Sequence, residues 1–157
     1  MSPMGAIEMS ALGQAMRQSL WLYPAVETTH IIGLALLVGS IAVLDLRLLG
    51  LSRSLPVRRL AAHVLPWTLG SFLLILPSGL AMFAAHASDF ISSNVFVLKM
   101  CLILAAGTNA AAFHVAVFPG AAAWDLDAPP PAVRAMAVLS LLLWISVIAC
   151  GRMLAYT

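Results

Sequence analysis

The sequence predicts an all-α integral membrane protein: one domain over 1–157, a four-helix bundle of spanning segments behind a short interfacial helix. Three observations carry that expectation. Of 157 residues, 62% are hydrophobic and only 9% charged, whereas a soluble domain carries about 25% charged residues. Mean hydropathy is +1.03. Four apolar stretches, at about 21–46, 60–85, 95–118 and 132–155, each reach the roughly 20 residues that cross a bilayer.

The first element is amphipathic. Ser2 followed by Pro3 reads as an N-cap with proline at the first helical position. Met4, Ile7, Ala11, Leu12, Ala15 and Met16 form an apolar face opposite Glu8, Gln14, Arg17 and Gln18. A single helix over about 3–18, lying on the membrane surface, is expected, with Gly13 as its weak point. Residues 1–20 lack the basic start and apolar core of a secretory signal, so no cleaved leader is expected.

The spans follow in order. The first carries Glu27, His30 and Asp45. The second contains Pro66 and Pro77, which free the carbonyls of Ala62 and Leu73 four residues earlier. A kinked helix facing the bundle is expected there, because neighbours re-satisfy such carbonyls in membranes. The third holds Lys99, Asn109 and His114. In the fourth, Ser140, Ser146 and Cys150 read as packing residues, and Arg152 closes the span. Cys101 and Cys150 sit in apolar runs without CxxC spacing and read as free thiols.

Orientation follows from the loops. Arg47, Arg53, Arg58 and Arg59 cluster around the first, whereas the second holds His86 and Asp89 and no Lys or Arg. The positive-inside rule makes the first loop cytoplasmic and turns both termini outward. Trp21, Tyr23 and Tyr156 would form an outer aromatic belt, and Trp124 an inner one. The net charge of +2 comes from loop arginines rather than a soluble basic face, so nucleic acid is not an expected partner.

Ionisable residues inside a span are costly and mark functional pathways. Two groups stand out. Glu27, Lys99 and Arg152 fall at similar depth near the outer surface, with His30 a turn deeper. Glu27 is expected to pair with Lys99 or Arg152, leaving His30 as a proton carrier, metal ligand or quinone partner. Toward the inner surface, His63 begins the second span and His114 ends the third, so antiparallel helices set them at one depth. Gly70 and Gly107 lie seven residues deeper, about two turns along the same faces. Two imidazoles beside two glycines leave room for a flat macrocycle, and histidine is a common axial ligand of haem. Close helix packing selects the same small residues, so a structural role stands beside the cofactor role. Asp45 lies on the face of Glu27, five turns on, and Asn109 is expected to make an interhelical hydrogen bond of about 0.6 kcal/mol.

The run Glu27-Thr28-Thr29-His30-Ile31-Ile32-Gly33, closing with Leu44-Asp45-Leu46-Arg47-Leu48-Leu49-Gly50, resembles a group of small four-span bacterial inner-membrane proteins of unknown function. His63-Val64-Leu65-Pro66-Trp67, Ser78-Gly79, Phe96 with Lys99, Asn109 and Phe113-His114 extend the resemblance over about 20–118. It implies four spans and a bacterial envelope setting. More distantly the chain resembles four-helix membrane b-type cytochromes, although its fourth span has no histidine. It also resembles copper-resistance membrane proteins of the D type, without their clustered methionines.

The leading expectation is a membrane haem-b electron-transfer or redox-partner subunit. Its axial ligands would be His63 and His114, its partner quinone or another redox protein. The alternatives are a metal or proton translocation module using Glu27 and His30, and a structural subunit within a homo- or hetero-oligomer. No nucleophile–base set, phosphate loop or HExxH pattern suggests an enzyme.

Overall fold

The computed structural model describes residues 2–154 and 156. Among these the chain is helical, without a strand. Two short helices, α1 (Pro3–Glu8) and α2 (Ala11–Gln18), precede α3 (Leu22–Leu48) and α4 (Val57–Ala85). A short α5 (Ala87–Ser92) leads into α6 (Asn94–Ala112). That helix widens to a π turn over Phe113–Val117 and tightens to 3-10 geometry over Phe118–Trp124. The last helix is α7 (Pro131–Met153). Four helices, Leu22–Leu48, Val57–Ala85, Asn94–Trp124 and Pro131–Met153, are long and apolar enough to cross a membrane. They match the four expected spans to within a few residues, the third running on through its π and 3-10 turns.

The amino-terminal helix is two helices rather than one. Ser2 caps α1 as expected, its Oγ accepting from the Gly5 amide at 3.1 Å. Ser10 then caps α2 in the same way, accepting from the Gly13 amide at 3.2 Å. A serine in extended geometry competes with the helix for its own backbone, and here it breaks the run. Gly13 has a purpose besides. A Cβ there would meet the carbonyl oxygens of Ala84 and Glu8 at 2.6 Å, so only glycine lets α2 lie this close to the end of α4. Arg17 fastens the contact by donating to the carbonyls of Ala85 at 3.2 Å and Glu8 at 2.5 Å.

At the opposite end, where Arg53 lies in the loop between α3 and α4 and Arg58 and Arg59 in the first turn of α4, Arg47 ties the bundle together. Its side chain is 1% exposed. It donates to the carbonyls of Leu55 at 2.7 Å, Asp125 at 3.0 Å and Arg53 at 3.3 Å. Helix α3 ends in a Schellman motif, with Gly50 in the left-handed region at φ 105°. The Leu51 amide reaches back to Leu46 and that of Gly50 to Arg47. Asp125, from the segment before α7, covers the start of α4 by accepting from the Arg58 amide at 2.8 Å. A carboxylate at a helix N-terminus also complements its dipole.

The spanning helices form an open arc in the order α4, α3, α7, α6. Helix α3 packs against α4 and α7, and α6 packs against α7. At Gly33 the approach of α3 to α4 is tight, since a Cβ would lie 2.8 Å from Ile75 Cγ1. No Cα of α4 comes within 8 Å of a Cα of α6. The arc therefore has an open side. Pro66 and Pro77 face outward, away from the bundle, and α4 runs unbroken through both.

Candidate functional site

Inside the arc, between α4 and α6, lies a cleft of about 240 Å³. Most of its wall is apolar, from Leu37 and Leu44 of α3 round to Trp144 of α7. One side of the mouth carries Leu65 and Leu69, the other Gly107, Ala110 and Ala111. At the end with the basic loops the floor is a packed cluster of Leu44, Leu48, Val57, Ala61, Val64, Phe113, Val133 and Ala137. The open side lies between two spanning helices, so it faces sideways, into the plane a membrane would occupy.

Few polar groups reach the cleft, and each is placed by a helix. Asp45, one turn before the end of α3, is 6% exposed and its Oδ2 has no hydrogen-bond partner. Ser140 of α7 lines the same cleft. Asn109 of α6 spans to the next helix, its Nδ2 donating to the Met136 carbonyl at 3.1 Å. Ser40 and Thr68 join α3 to α4 through a 2.7 Å contact between their hydroxyls. His114 completes the lining from within the π turn, half-buried between the rings of Phe113 and Phe118. Pro119 accounts for the altered winding there: it cannot donate to the Val115 carbonyl, and its ring clashes with that carbonyl in an α-helix. π turns of this kind recur at functional sites.

A family model described as DUF6644, a family of unknown function, matches residues 6–157. The chain belongs to that family. No curated protein and no solved structure matches it.

The expected opposition of His63 and His114 is not what the fold provides. His114 and Gly107 line the cleft, but His63 and Gly70 are exposed and do not. The cleft face of α4 is Ala61, Leu65, Thr68 and Phe72. At 100° per residue His63 and Gly70 lie on the opposite side of that helix. They do share one face, as their spacing implied, but it is the outward one. A haem gripped between His63 and His114 does not fit these residues: one ligand faces away, and the space takes a single ring more readily than a macrocycle. Among the described residues no three His, Cys, Asp or Glu side chains gather into a metal-binding set, and Cys101 and Cys150 are free thiols.

Nearer the amino-terminal end, the second expected group is dispersed. His30 Nδ1 lies 2.9 Å from Ser78 Oγ, with its ring over Gly79, where a Cβ would be 3.2 Å from Cε1. Glu27 is exposed. The expected ion pair of Glu27 with Lys99 or Arg152 is absent. The pairs among the described residues are instead Arg17–Glu8 at 3.8 Å and His86–Asp89 at 3.6 Å. Lys99 lays its ammonium against the bare backbone of Gly151, 3.4 Å from where a Cβ would stand. Arg152 donates to the Tyr156 hydroxyl at 2.6 Å and stacks on that ring. Asp45 does occupy the same helical face as Glu27, but that face is covered at one end and bare at the other.

Sequence reasoning missed two residues. Arg47 was read as a topology signal and is a buried clamp. Ser140 was read as packing and is buried in the lining of the cleft that also holds Asp45. Neither carries a motif; only the arc of α3 against α7 brings them into play.

Proposed function

We propose that the chain is a multi-pass subunit of a bacterial inner membrane that takes a lipid-soluble, single-ring ligand of the quinone class from the bilayer and serves a redox partner. The observation that carries this reading is the open side of the bundle, where α4 and α6 part around a cleft of about 240 Å³. Ligand sites are mostly apolar with a few convergent polar groups, and those that enclose drug-sized molecules span about 300–1,000 Å³. A volume just below that range suits one ring with its tail left in lipid. Asp45, Asn109 and His114 are the polar groups that orient such a ring, and ionisable residues held within spans mark functional pathways. The basic loop supports a cytoplasmic location for the end nearest Asp45, with both termini outward.

Gly107 gives the test. It lines the mouth, and a Cβ there would touch nothing within 4 Å, so Gly107→Phe fills the cleft without a clash at its first atom. Protein purified in mild detergent is extracted with organic solvent, and co-purifying lipophiles are identified by mass spectrometry. The expected result is a quinone-class molecule near one per chain in the wild type and depleted at least about tenfold in Gly107→Phe. Equal recovery from both proteins overturns the assignment to this cleft.

A further inference from the structure

We infer that the bundle end where α4 and α7 begin is a docking surface for anionic phospholipid, with the headgroup phosphate held by Arg58, Arg59 and Arg134. The inference rests on the chain spanning a membrane and not on what fills the cleft. Five of the eight basic residues, Arg47, Arg53, Arg58, Arg59 and Arg134, lie at this end, and all five are arginine. A guanidinium fork meets a phosphate in a bidentate way that an ammonium cannot. Arg47 is buried, and Arg53 turns back to the Gly50 carbonyl at 3.2 Å. Arg58, Arg59 and Arg134 are exposed, and no ion pair among the described residues engages them. Of the acids in the segment before α7, Asp125 accepts from the Arg58 amide at 2.8 Å and Asp127 is exposed.

The positive-inside tendency accounts for arginines at this end, but not for how these are held. Arg58 and Arg59 follow Val57 at the start of α4, Arg134 is the fourth residue of α7, and neither helix has an acid in its first turn. A helix N-terminus is itself positive, so these cations add to a field that an anion would offset. The frame beneath them is tied down. Arg47 binds the carbonyls of Arg53 and Leu55 ahead of α4 and that of Asp125 ahead of α7. The Asp125 carbonyl also accepts from the Val57 amide at 3.2 Å. Val57 and Val133, one from each first turn, share a packed cluster. Depth then decides the partner. Helix α4 has 29 residues, about 43 Å at 1.5 Å each, whereas a bilayer is about 30 Å thick in hydrocarbon and about 40–45 Å with its headgroups. Its first turn therefore stands level with lipid phosphates, not beyond them where a soluble acidic protein would dock. Leu51 and Leu55 in the loop before α4, and Leu126 before α7, are exposed. Apolar side chains among arginines suit the boundary between headgroups and acyl chains.

The test is native mass spectrometry of the full chain in mild detergent, titrated with four probes. These are dioleoyl phosphatidylglycerol, dioleoyl phosphatidylcholine, glycerophosphoglycerol (the first headgroup without tails) and a decaglutamate peptide. Phosphatidylglycerol is expected to bind at least about tenfold more tightly than phosphatidylcholine, since each arginine near an anionic headgroup gives about fivefold. Arg58→Gln, Arg59→Gln and Arg134→Gln should each lower that preference about fivefold, and the triple variant should abolish it. Arg152→Gln, at the other end of α7, should leave it unchanged. Equal binding of the two lipids, or full preference in the triple variant, overturns the inference and leaves the cleft reading standing. Glycerophosphoglycerol binding as tightly as its lipid overturns the lipid as the source of the phosphate. Decaglutamate binding more tightly than phosphatidylglycerol overturns it in favour of an acidic protein surface.

Discussion

His30 Nδ1 and Ser78 Oγ meet at 2.9 Å across the α3–α4 interface, and the bond has a direction. The Ser78 hydroxyl has one proton, turned back to the Leu74 or Ile75 carbonyl of its own helix. With that proton at a carbonyl, the imidazole donates from Nδ1, which leaves Nε2 as the basic nitrogen. Gly79 makes room for the ring. Nitrogen-15 NMR of labelled histidine should show the Nδ1–H tautomer at His30 in the wild type and its loss in Ser78→Ala. A double-mutant cycle with His30→Ala should give a coupling of about 0.5–1.5 kcal/mol. An Nε2–H tautomer in the wild type reverses the assignment.

The positions of His63 and His114 predict opposite outcomes for two similar substitutions. His114→Ala removes a polar group from the cleft and should weaken decyl-benzoquinol binding about tenfold. His63→Ala changes the outward face of α4 and should leave affinity within about twofold, the range of an exposed substitution. Calorimetry in nanodiscs reads both. Haem absorption bands that vanish in each variant would instead restore a cofactor held by the pair.

How much of this was legible in the sequence depends on which force wrote it. Span positions were legible because apolar run length is set by bilayer thickness, and the Ser2 cap because the serine acts within its own turn. Ser10 was missed since the apolar face continues past it. Which face of each span points inward was not legible. A helix in lipid is apolar on every side, so the periodicity that orients a soluble helix is missing. Hence His63 and Gly70 were rightly placed on one face, and the facing of that side was decided by α3 packing elsewhere on α4. Asn109 was correctly expected to bridge helices, because an amide in lipid has few other choices. The π turn at His114 had a signal in Pro119, but proline reveals that a helix is disturbed and not in which direction.

Gly13 predicts a localised loss. Its missing Cβ is replaced by backbone oxygens of Ala84 and Glu8 at 2.6 Å, atoms that cannot turn aside as a flexible side chain would. Gly13→Ala gains helix propensity of about 1 kcal/mol, yet must push α2 off the end of α4, at an overpacking cost of about 1–3 kcal/mol. The spanning helices are not involved. Hydrogen exchange should therefore quicken at the amides of residues 84–88 and stay unchanged within α3 and α7. Unchanged exchange at 84–88 would show that α2 does not depend on this approach.

Glu8 gives that same contact a pH dependence. Its Oε1 accepts from the Ser88 amide at 2.7 Å, and this bond, the Ser88 hydroxyl, Arg17 and His86 hold the carboxyl below its ordinary value near 4.5. A carboxyl lowered by folding binds its proton more readily when released, so the released state gains as pH falls. The stabilisation is thus fully present above about 4.5 and is lost as pH falls through the lower folded value. Protection of the Ser88 amide should be flat between about pH 5 and 7, after correction for intrinsic exchange, and should drop below about pH 4. In Glu8→Gln the acceptor oxygen remains while the titration is gone. Protection in that variant should be lower at neutral pH and independent of pH across the same range. A drop of equal size in Glu8→Gln would assign the acid transition to another group.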